Sequence, residues 1–240
     1  MAQHEITNRT AWIEKRKALL EQEKALKRAQ DELAAARRAL PWVRVEKSYL
    51  FDGPNGTESL AELFGARSQL IVYHFMFAPT WEAGCKSCSF WADNWGAAVQ
   101  HLEARDVTLL AASRAPLAKL DAFKRRLGWT FKWVSSGQSD FNYDFQASSR
   151  DDEREAGESV YNFATLPPGS PPDMPGFSVF YKDADGAVFH TYSTFGRGIE
   201  IANTTYQLLD LVPNGRGEAG QRAPASMSWV RYHDEYPKSA

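Results

Sequence analysis

The sequence predicts an α/β domain whose core is a parallel β-sheet with crossover helices. Two unbroken apolar runs of strand length, at 70–77 and 107–112, are typical of strands that are buried on both faces. A segment with helical spacing of apolar residues follows each run, and a third short strand is predicted at 131–134. This order of strand, helix, strand, helix, strand favours parallel strands that are joined through helices.

The composition is that of a globular protein and excludes several classes. With 240 residues, of which 43% are hydrophobic and 24% charged, the chain has enough apolar side chains for a core and is not disordered throughout. A net charge of −2 gives no electrostatic reason to bind nucleic acid. No apolar window is long enough to span a membrane, and the N-terminus lacks the apolar core of a signal peptide. We therefore expect a cytoplasmic protein with neither a nucleic-acid nor a membrane partner.

Residues 1–44 are predicted to be an N-terminal helical extension. The segment 10–40 contains no Gly or Pro and is rich in strong helix formers, and Pro41 ends the helix. One apolar position recurs every seven residues: Trp12, Leu19, Leu26, Leu33 and Leu40. Because the second heptad position is mostly polar or Ala, the pattern indicates a long amphipathic helix lying on the domain or on a second subunit, with a self-pairing homodimer arm as the alternative.

The rest of the chain forms one domain at 45–212 and a tail at 213–240. The remaining predicted elements are a strand at 43–51, a turn at 52–56, a short helix through Phe64 capped by Thr57 or Ser59, a helix from Pro116 to Gly128, a hairpin of strands at 177–182 and 188–193, and a helix at 198–211. Residues 137–176 are a long polar and Pro-rich excursion, for which we expect a covering or lid role. The tail carries aromatic residues and is expected to pack on the domain.

Two cysteines, the only ones in the chain, stand three residues apart between a predicted buried strand and a predicted helix. Residues three apart on a helix share a face, and their separation suits a disulfide. Cys85 falls at the helix N-terminus, where unpaired N–H groups and the positive end of the helix dipole favour a thiolate. Lys86 adds a positive charge that acts in the same direction.

These features predict a redox-active dithiol that needs no cofactor and no metal. Cys85 attacks a substrate disulfide or peroxide, Cys88 resolves the product, and another dithiol reduces the Cys85–Cys88 disulfide. Ser87 lies within the motif and is counted with the site. Two alternatives remain, namely a pair of inert buried cysteines and a metal site completed by His or by a second subunit, because two cysteines cannot fill a four-ligand zinc site.

The sequence resembles the thioredoxin-like proteins of the DUF899 family, which are described as predicted dithiol–disulfide oxidoreductases. The resemblance is carried by YHFMFAPTWEAGCKSCSFWADN (73–94), RDVTLLAASRAPLAKLDAFKRRLGWTFKWVSS (105–136), SDFNYDF (139–145) and SVFYKDADGAVFHTYSTFGRG (178–198). It implies a thioredoxin-like α/β fold of the peroxiredoxin-type variant, with extra elements before the first core strand. It also implies a disulfide oxidoreductase that acts on a protein or small-molecule disulfide.

Two departures from related patterns bear on the reaction. GCKSC lacks the Trp-Cys and Gly-Pro elements of the thioredoxin motif WCGPC. Pro79 and Ala83 do not reproduce the Pro and Thr that precede the reactive cysteine of peroxiredoxins, which makes a thiol peroxidase the less favoured enzyme. A non-enzymatic interaction protein that assembles through the N-terminal helix is the other alternative.

Five further residues are candidates for supporting roles. Pro175 is the candidate for the cis-proline that thioredoxin-like sites place opposite the cysteine pair. His74, on the strand that leads to the site, is a candidate proton shuttle for Cys88, with a satisfied core histidine as the alternative.

The other three are candidates for substrate contact. Trp81, on the approach loop, is expected to shape a hydrophobic docking rim. Arg114 and Arg197 are expected to face the cleft and hold an anionic group, with surface ion pairs as the alternative.

Overall fold

The computed structural model describes residues 4–218, 220–221 and 225–237. The first three residues of the predicted extension, and residues 219, 222–224 and 238–240 of the predicted tail, lie outside the described residues. The chain divides into two compact units, one ending at Pro41 and the other beginning at Trp42. None of the described helices is long and apolar enough to cross a membrane.

The first unit contains a single helix, α1 (Arg9–Arg38). The Asn8 side chain caps it by accepting a hydrogen bond from the Ala11 N–H at 2.9 Å. Ion pairs one turn apart, such as Lys27–Asp31 at 2.6 Å, line its surface. No residue of α1 is buried, and Leu26, in the middle of the seven-residue stripe, is 61% exposed.

The second unit is built on one eight-stranded sheet and a small separate hairpin. The strands are β1 (Val43–Arg44), β2 (Leu50–Gly53), β3 (Gly56–Ser59), β4 (Gln69–His74), β5 (Val107–Ser113), β6 (Lys132–Ser135), β7 (Val160–Tyr161), β8 (Ala164–Thr165), β9 (Gly176–Lys182) and β10 (Val188–Phe195). The helices are α2 (Leu60–Leu63), α3 (Lys86–Ala92), α4 (Ala98–Glu103), α5 (Leu117–Arg126), α6 (Phe141–Asp144), α7 (Asp151–Ala156) and α8 (Thr204–Leu209). Short 3₁₀ turns lie at Gly196–Ala202, Ala225–Met227 and His233–Glu235.

The sheet order is β1-β10-β9-β4-β5-β6-β2-β3, and β7 pairs with β8 alone. As predicted, β4, β5 and β6 are parallel and are joined through helices. β9 runs antiparallel to β4, and β10 runs antiparallel to β9. With the cysteine pair following the first of the parallel strands, this arrangement confirms the predicted thioredoxin-like α/β fold with a long N-terminal helix.

Apolar side chains fill both faces of the sheet, and alternation along β4 assigns residues to each. One side, which we call the cysteine face, holds Tyr73, Cys88 and Trp133 in one buried cluster. The other side, which we call the far face, holds Val72 and Phe141 in a second cluster. The face of the sheet to which a β4 side chain points therefore decides whether it can contact the cysteines.

Three regions differ from the elements predicted. The predicted strand at 43–51 is two strands, because β1 pairs with β10 and β2 pairs with β6 at opposite ends of the sheet. The predicted helix at 198–211 begins as a 3₁₀ turn and is α-helical only in α8. The excursion at 137–176 contains α6, α7 and the β7–β8 hairpin.

Candidate active site

The two cysteines lie close together at the start of α3. Cys85 is the N-cap residue of this helix, and Cys88 lies in its first turn. The Cys85 N–H donates to the Met76 carbonyl at 3.0 Å, while the Cys85 carbonyl accepts from the Ser89 N–H at 2.9 Å. The thiols are not bonded to each other, and Cys85 is partly exposed whereas Cys88 is only 1% exposed. Cys85 therefore lies at the more exposed end of the pair, and Cys88 is buried in the first turn of α3.

The environment shifts the pKa values of the two thiols in opposite directions. A hydrogen bond from the Cys88 thiol, followed by hydrogen bonds from the N–H groups of Cys88 and Ser87 and from the Ser87 hydroxyl, lowers the pKa of Cys85 to about 7 against the opposing effect of burial. Burial, followed by the interaction with Cys85, raises the pKa of Cys88 well above its ordinary value. The ammonium of Lys86, the next residue, lies 5.6 Å from the ring centroid of Tyr232. The hydrogen-bond donors at the start of α3 account for the lowered pKa.

The loop just before Cys85 is tightly confined. A Cβ atom on Gly84 would lie 2.7 Å from the Phe75 ring and 3.1 Å from the Phe123 ring. The Gly84 carbonyl accepts a hydrogen bond from the Tyr232 hydroxyl at 2.7 Å. The Tyr232 ring is buried against Phe123, with ring centroids 5.4 Å apart. The C-terminal segment therefore helps to fix the backbone that carries the reactive thiol.

Two tyrosines that sequence reasoning missed border Cys88. Tyr73 is fully buried, its hydroxyl has no hydrogen-bond partner among the described residues, and burial followed by the charge of the nearby Cys88 raises its pKa well above the ordinary value. The Tyr161 hydroxyl donates to the Pro175 carbonyl at 2.6 Å and accepts from the Gly196 N–H at 2.7 Å. Burial raises the pKa of Tyr161, and the nearby Cys88 adds to this shift. The two-residue period of a strand puts Tyr73 and His74 on opposite faces, but no local pattern shows which of them faces the cysteines, and none points to Tyr161.

His74 faces away from the cysteines, and this placement corrects the proton-shuttle prediction. Its Nε2 lies 2.9 Å from the Ser178 hydroxyl, and its ring stacks on Phe141 at 5.4 Å, on the far face. Burial lowers the pKa of His74 to about 3, so the ring is uncharged near neutral pH. The physical reason is the two-residue period of a strand, which gives the position facing Cys88 to Tyr73.

The family model that matches this chain covers almost its full length. It is described as a bacterial protein of unknown function, DUF899, and it matches residues 1–236. The chain belongs to the DUF899 family. No curated protein matches the sequence.

Three solved structures are among those similar to this DUF899 protein. They are Xanthomonas campestris peroxiredoxin Q (12% identity, TM-score 0.46, covering 70% of this chain and 94% of that one), peroxidoxin BcpB from Mycobacterium tuberculosis (12%, 0.44, 70% and 97%) and a putative thiol:disulfide interchange protein DsbE from Chlorobium tepidum (12%, 0.41, 70% and 95%).

Pro175 and Trp81 of the DUF899 protein lie near the carboxyl end of β4. Pro175 immediately precedes Gly176, which pairs with His74, the last residue of that strand. This register places Pro175 at the end of the sheet from which the chain leads to the cysteines. Trp81 is partly buried against the core of the cysteine face, and its carbonyl accepts a hydrogen bond from Lys119 Nζ at 3.0 Å.

Both candidate arginines of the DUF899 protein are engaged in ion pairs. Arg114 Nε lies 2.6 Å from the buried Asp173 carboxylate, and Arg114 Nη1 donates to the Tyr143 hydroxyl at 2.7 Å. Arg197 pairs with Glu200 at 3.0 Å, and its side chain is 87% exposed. In the described part of the chain, these contacts pair both guanidinium groups with carboxylates, which is the alternative that the sequence analysis left open.

Proposed function

We propose that this protein is a dithiol–disulfide oxidoreductase in which Cys85 attacks and Cys88 resolves. The observation that carries the proposal is the contrast between the two thiols at the start of α3. Cys85 is partly exposed with a pKa of about 7, whereas Cys88 is buried with a raised pKa. Because the thiolate is the nucleophile, about half of Cys85 is ready to react at pH 7, while Cys88 stays protonated until it is needed.

The reaction proceeds by two thiol–disulfide exchanges. The Cys85 thiolate attacks one sulfur of the substrate disulfide, which forms a mixed disulfide and expels the other substrate sulfur as a thiolate. Cys88 then loses its proton and attacks Cys85 Sγ, which forms the Cys85–Cys88 disulfide and releases the second substrate thiolate. Two electrons pass from the protein dithiol to the substrate, each released thiolate takes up a proton, and an external dithiol restores the reduced pair.

The neighbouring side chains fit these steps. The Tyr73 hydroxyl lies near Cys88 and lowers the pKa of that thiol, so it stabilises the charge on Cys88 when the thiol loses its proton. Tyr161 holds the Pro175 carbonyl at 2.6 Å and so fixes the backbone at the end of the sheet beside the pair. Trp81 supplies partly exposed apolar surface on the approach loop, which suits the docking of a substrate.

Reduction of insulin disulfides with dithiothreitol as the electron source tests the proposal. We expect activity in the wild type and a loss of at least 100-fold in both Cys85→Ser and Cys88→Ser. With 5,5′-dithiobis(2-nitrobenzoate) as substrate, Cys88→Ser accumulates a mixed disulfide at residue 85, and Cys85→Ser serves as the matched control that forms none.

Three results would contradict the proposal. Full activity in either variant would exclude the dithiol mechanism. Rapid consumption of hydrogen peroxide by an enzyme that leaves insulin unreduced would assign a thiol peroxidase. An inert wild type that self-associates would favour an interaction protein.

A further inference from the structure

A cleft of about 420 Å³ lies on the far face, between β1, β10 and the chain around α6. Its volume falls within the range of small-molecule sites. In the pairing of β10 with β9, His190 lies opposite Phe180, and Phe195 lies opposite Gly176. Residues that lie directly opposite each other in an antiparallel pair point to the same face of the sheet. Because Phe180 belongs to the far face, both cleft residues point away from the cysteine face. The cleft is therefore separate from the redox pair.

Aromatic side chains form much of the wall, and one of them occupies an unfavourable backbone position. Phe163 has φ 62° and Asn162 has φ 52°, and together they make the two-residue turn of the β7–β8 hairpin. Turns of this kind favour Asn and Gly, because a Cβ atom clashes in the left-handed region. Asn162 fits this preference, whereas Phe163 does not.

Phe163 is also largely exposed, so burial of its ring contributes little to the stability of the fold. Its side chain is 74% exposed, and its ring lies 5.9 Å from that of Phe195 in the cleft wall. A second residue of the same wall, Gln146, also has a left-handed backbone, with φ 56°. Strained backbone positions that gather at one cleft are typical of ligand sites, where binding compensates for the strain.

The charges around the cleft balance. Two basic side chains, Arg44 and Lys47, face two acidic ones, Glu46 and Asp144, and Lys47 Nζ pairs with Asp144 at 2.7 Å. His190 is hydrogen-bonded to the Ser193 hydroxyl at 2.8 Å, and burial lowers its pKa, so it adds no charge near neutral pH. A site with balanced charges and aromatic walls favours a neutral ligand with an apolar body over an ion.

We propose that this cleft binds a small neutral molecule with a flat apolar body, and that Phe163 closes over it as an aromatic wall. Contact between the Phe163 ring and the bound ligand compensates for the strain of its left-handed backbone. The test measures binding of a ligand on the opposite face of the sheet from the cysteines, so it does not depend on the proposed redox function.

The test uses 1-N-phenylnaphthylamine, a neutral aromatic probe whose fluorescence rises in apolar surroundings, with the full-length protein. We expect saturable binding that Phe163→Gly weakens about tenfold or more, without a lower Tm, because Gly relieves the left-handed backbone. Asn162→Gly changes the same turn but keeps the ring, and it should retain wild-type affinity. Cys85→Ser should bind as the wild type does.

The exposed leucine stripe of α1 is the main competing site for such a probe. Leu26→Gln removes apolar surface there and should leave the affinity unchanged. Absence of saturable binding, equal affinity in Phe163→Gly, or loss of binding in Leu26→Gln would each overturn the proposal.

Discussion

The rate at which iodoacetamide alkylates Cys85 should rise with pH around a midpoint near 7. The ordinary pKa of this thiol is 9.0, and its surroundings lower the value to about 7. At pH 7 the thiolate fraction therefore grows from about 1% to about half, which is about 50-fold. A less basic thiolate is also a weaker nucleophile, and with a Brønsted coefficient of about 0.4–0.5 the two-unit shift reduces intrinsic reactivity about six- to tenfold. The net expectation is alkylation about five- to eightfold faster at pH 7 than for an ordinary thiol.

The assay follows the mass of the peptide that contains residue 85 between pH 5 and pH 10. Below the midpoint the rate should increase tenfold per pH unit, and above it the rate should level off, because the reactive form is the deprotonated one. Cys88 should stay unmodified in this range, since it is buried and its pKa is raised.

Substitutions at Cys88 test the cause of the shift. The hydrogen bond from the Cys88 thiol is the largest contribution that lowers the pKa of Cys85. Cys88→Ala removes this donor and should move the midpoint upward, whereas Cys88→Ser keeps a donor and should hold it near 7. A wild-type midpoint at 8.5 or above, or equal midpoints in the two variants, would refute the reasoning.

Three further substitutions test individual contacts of the structure. Tyr73→Phe removes the hydroxyl that stabilises the Cys88 thiolate and should slow resolution of the mixed disulfide about fivefold in stopped-flow measurements, and an unchanged rate would contradict this role. Arg114→Ala leaves the buried Asp173 carboxylate unpaired and should lower the free energy of unfolding in urea by about 3 kcal/mol, part of which Arg114→Ala combined with Asp173→Asn should restore. Gly84→Ala forces a Cβ atom to within 2.7 Å of an aromatic ring and should lower stability by about 1–3 kcal/mol, so a Tm equal to that of the wild type would argue against the close packing.

Local sequence patterns were sufficient for the central sheet and for the position of the cysteines. The apolar runs at 70–77 and 107–112 correspond to β4 and β5, since strands buried on both faces are apolar throughout. The placement of Cys85 at a helix start follows from the strand before it and the helical spacing after it. Both inferences use residues that are neighbours in the sequence.

The apolar run at 70–77 does not show to which face of the sheet each side chain points. A strand without alternation gives no sign of whether Tyr73 or His74 faces the helix that follows, and only the packing decides it. Tyr161 and Tyr232 reach the site from distant segments, so no local pattern could place them there. The sequence analysis missed the β7–β8 hairpin within residues 137–176 because Phe163 occupies a turn position that favours Gly.

The hydrogen bond from Tyr232 to Gly84 has a practical consequence for anyone who shortens the chain. Deleting the last 16 residues would strip Val230 and Tyr232 from the apolar cluster that also contains Cys88. Such a trimmed protein would expose Phe123 to water and free the carbonyl next to the nucleophile. Reactivity measured on it would describe an altered thiol, and activity screens are therefore best run on the untrimmed polypeptide.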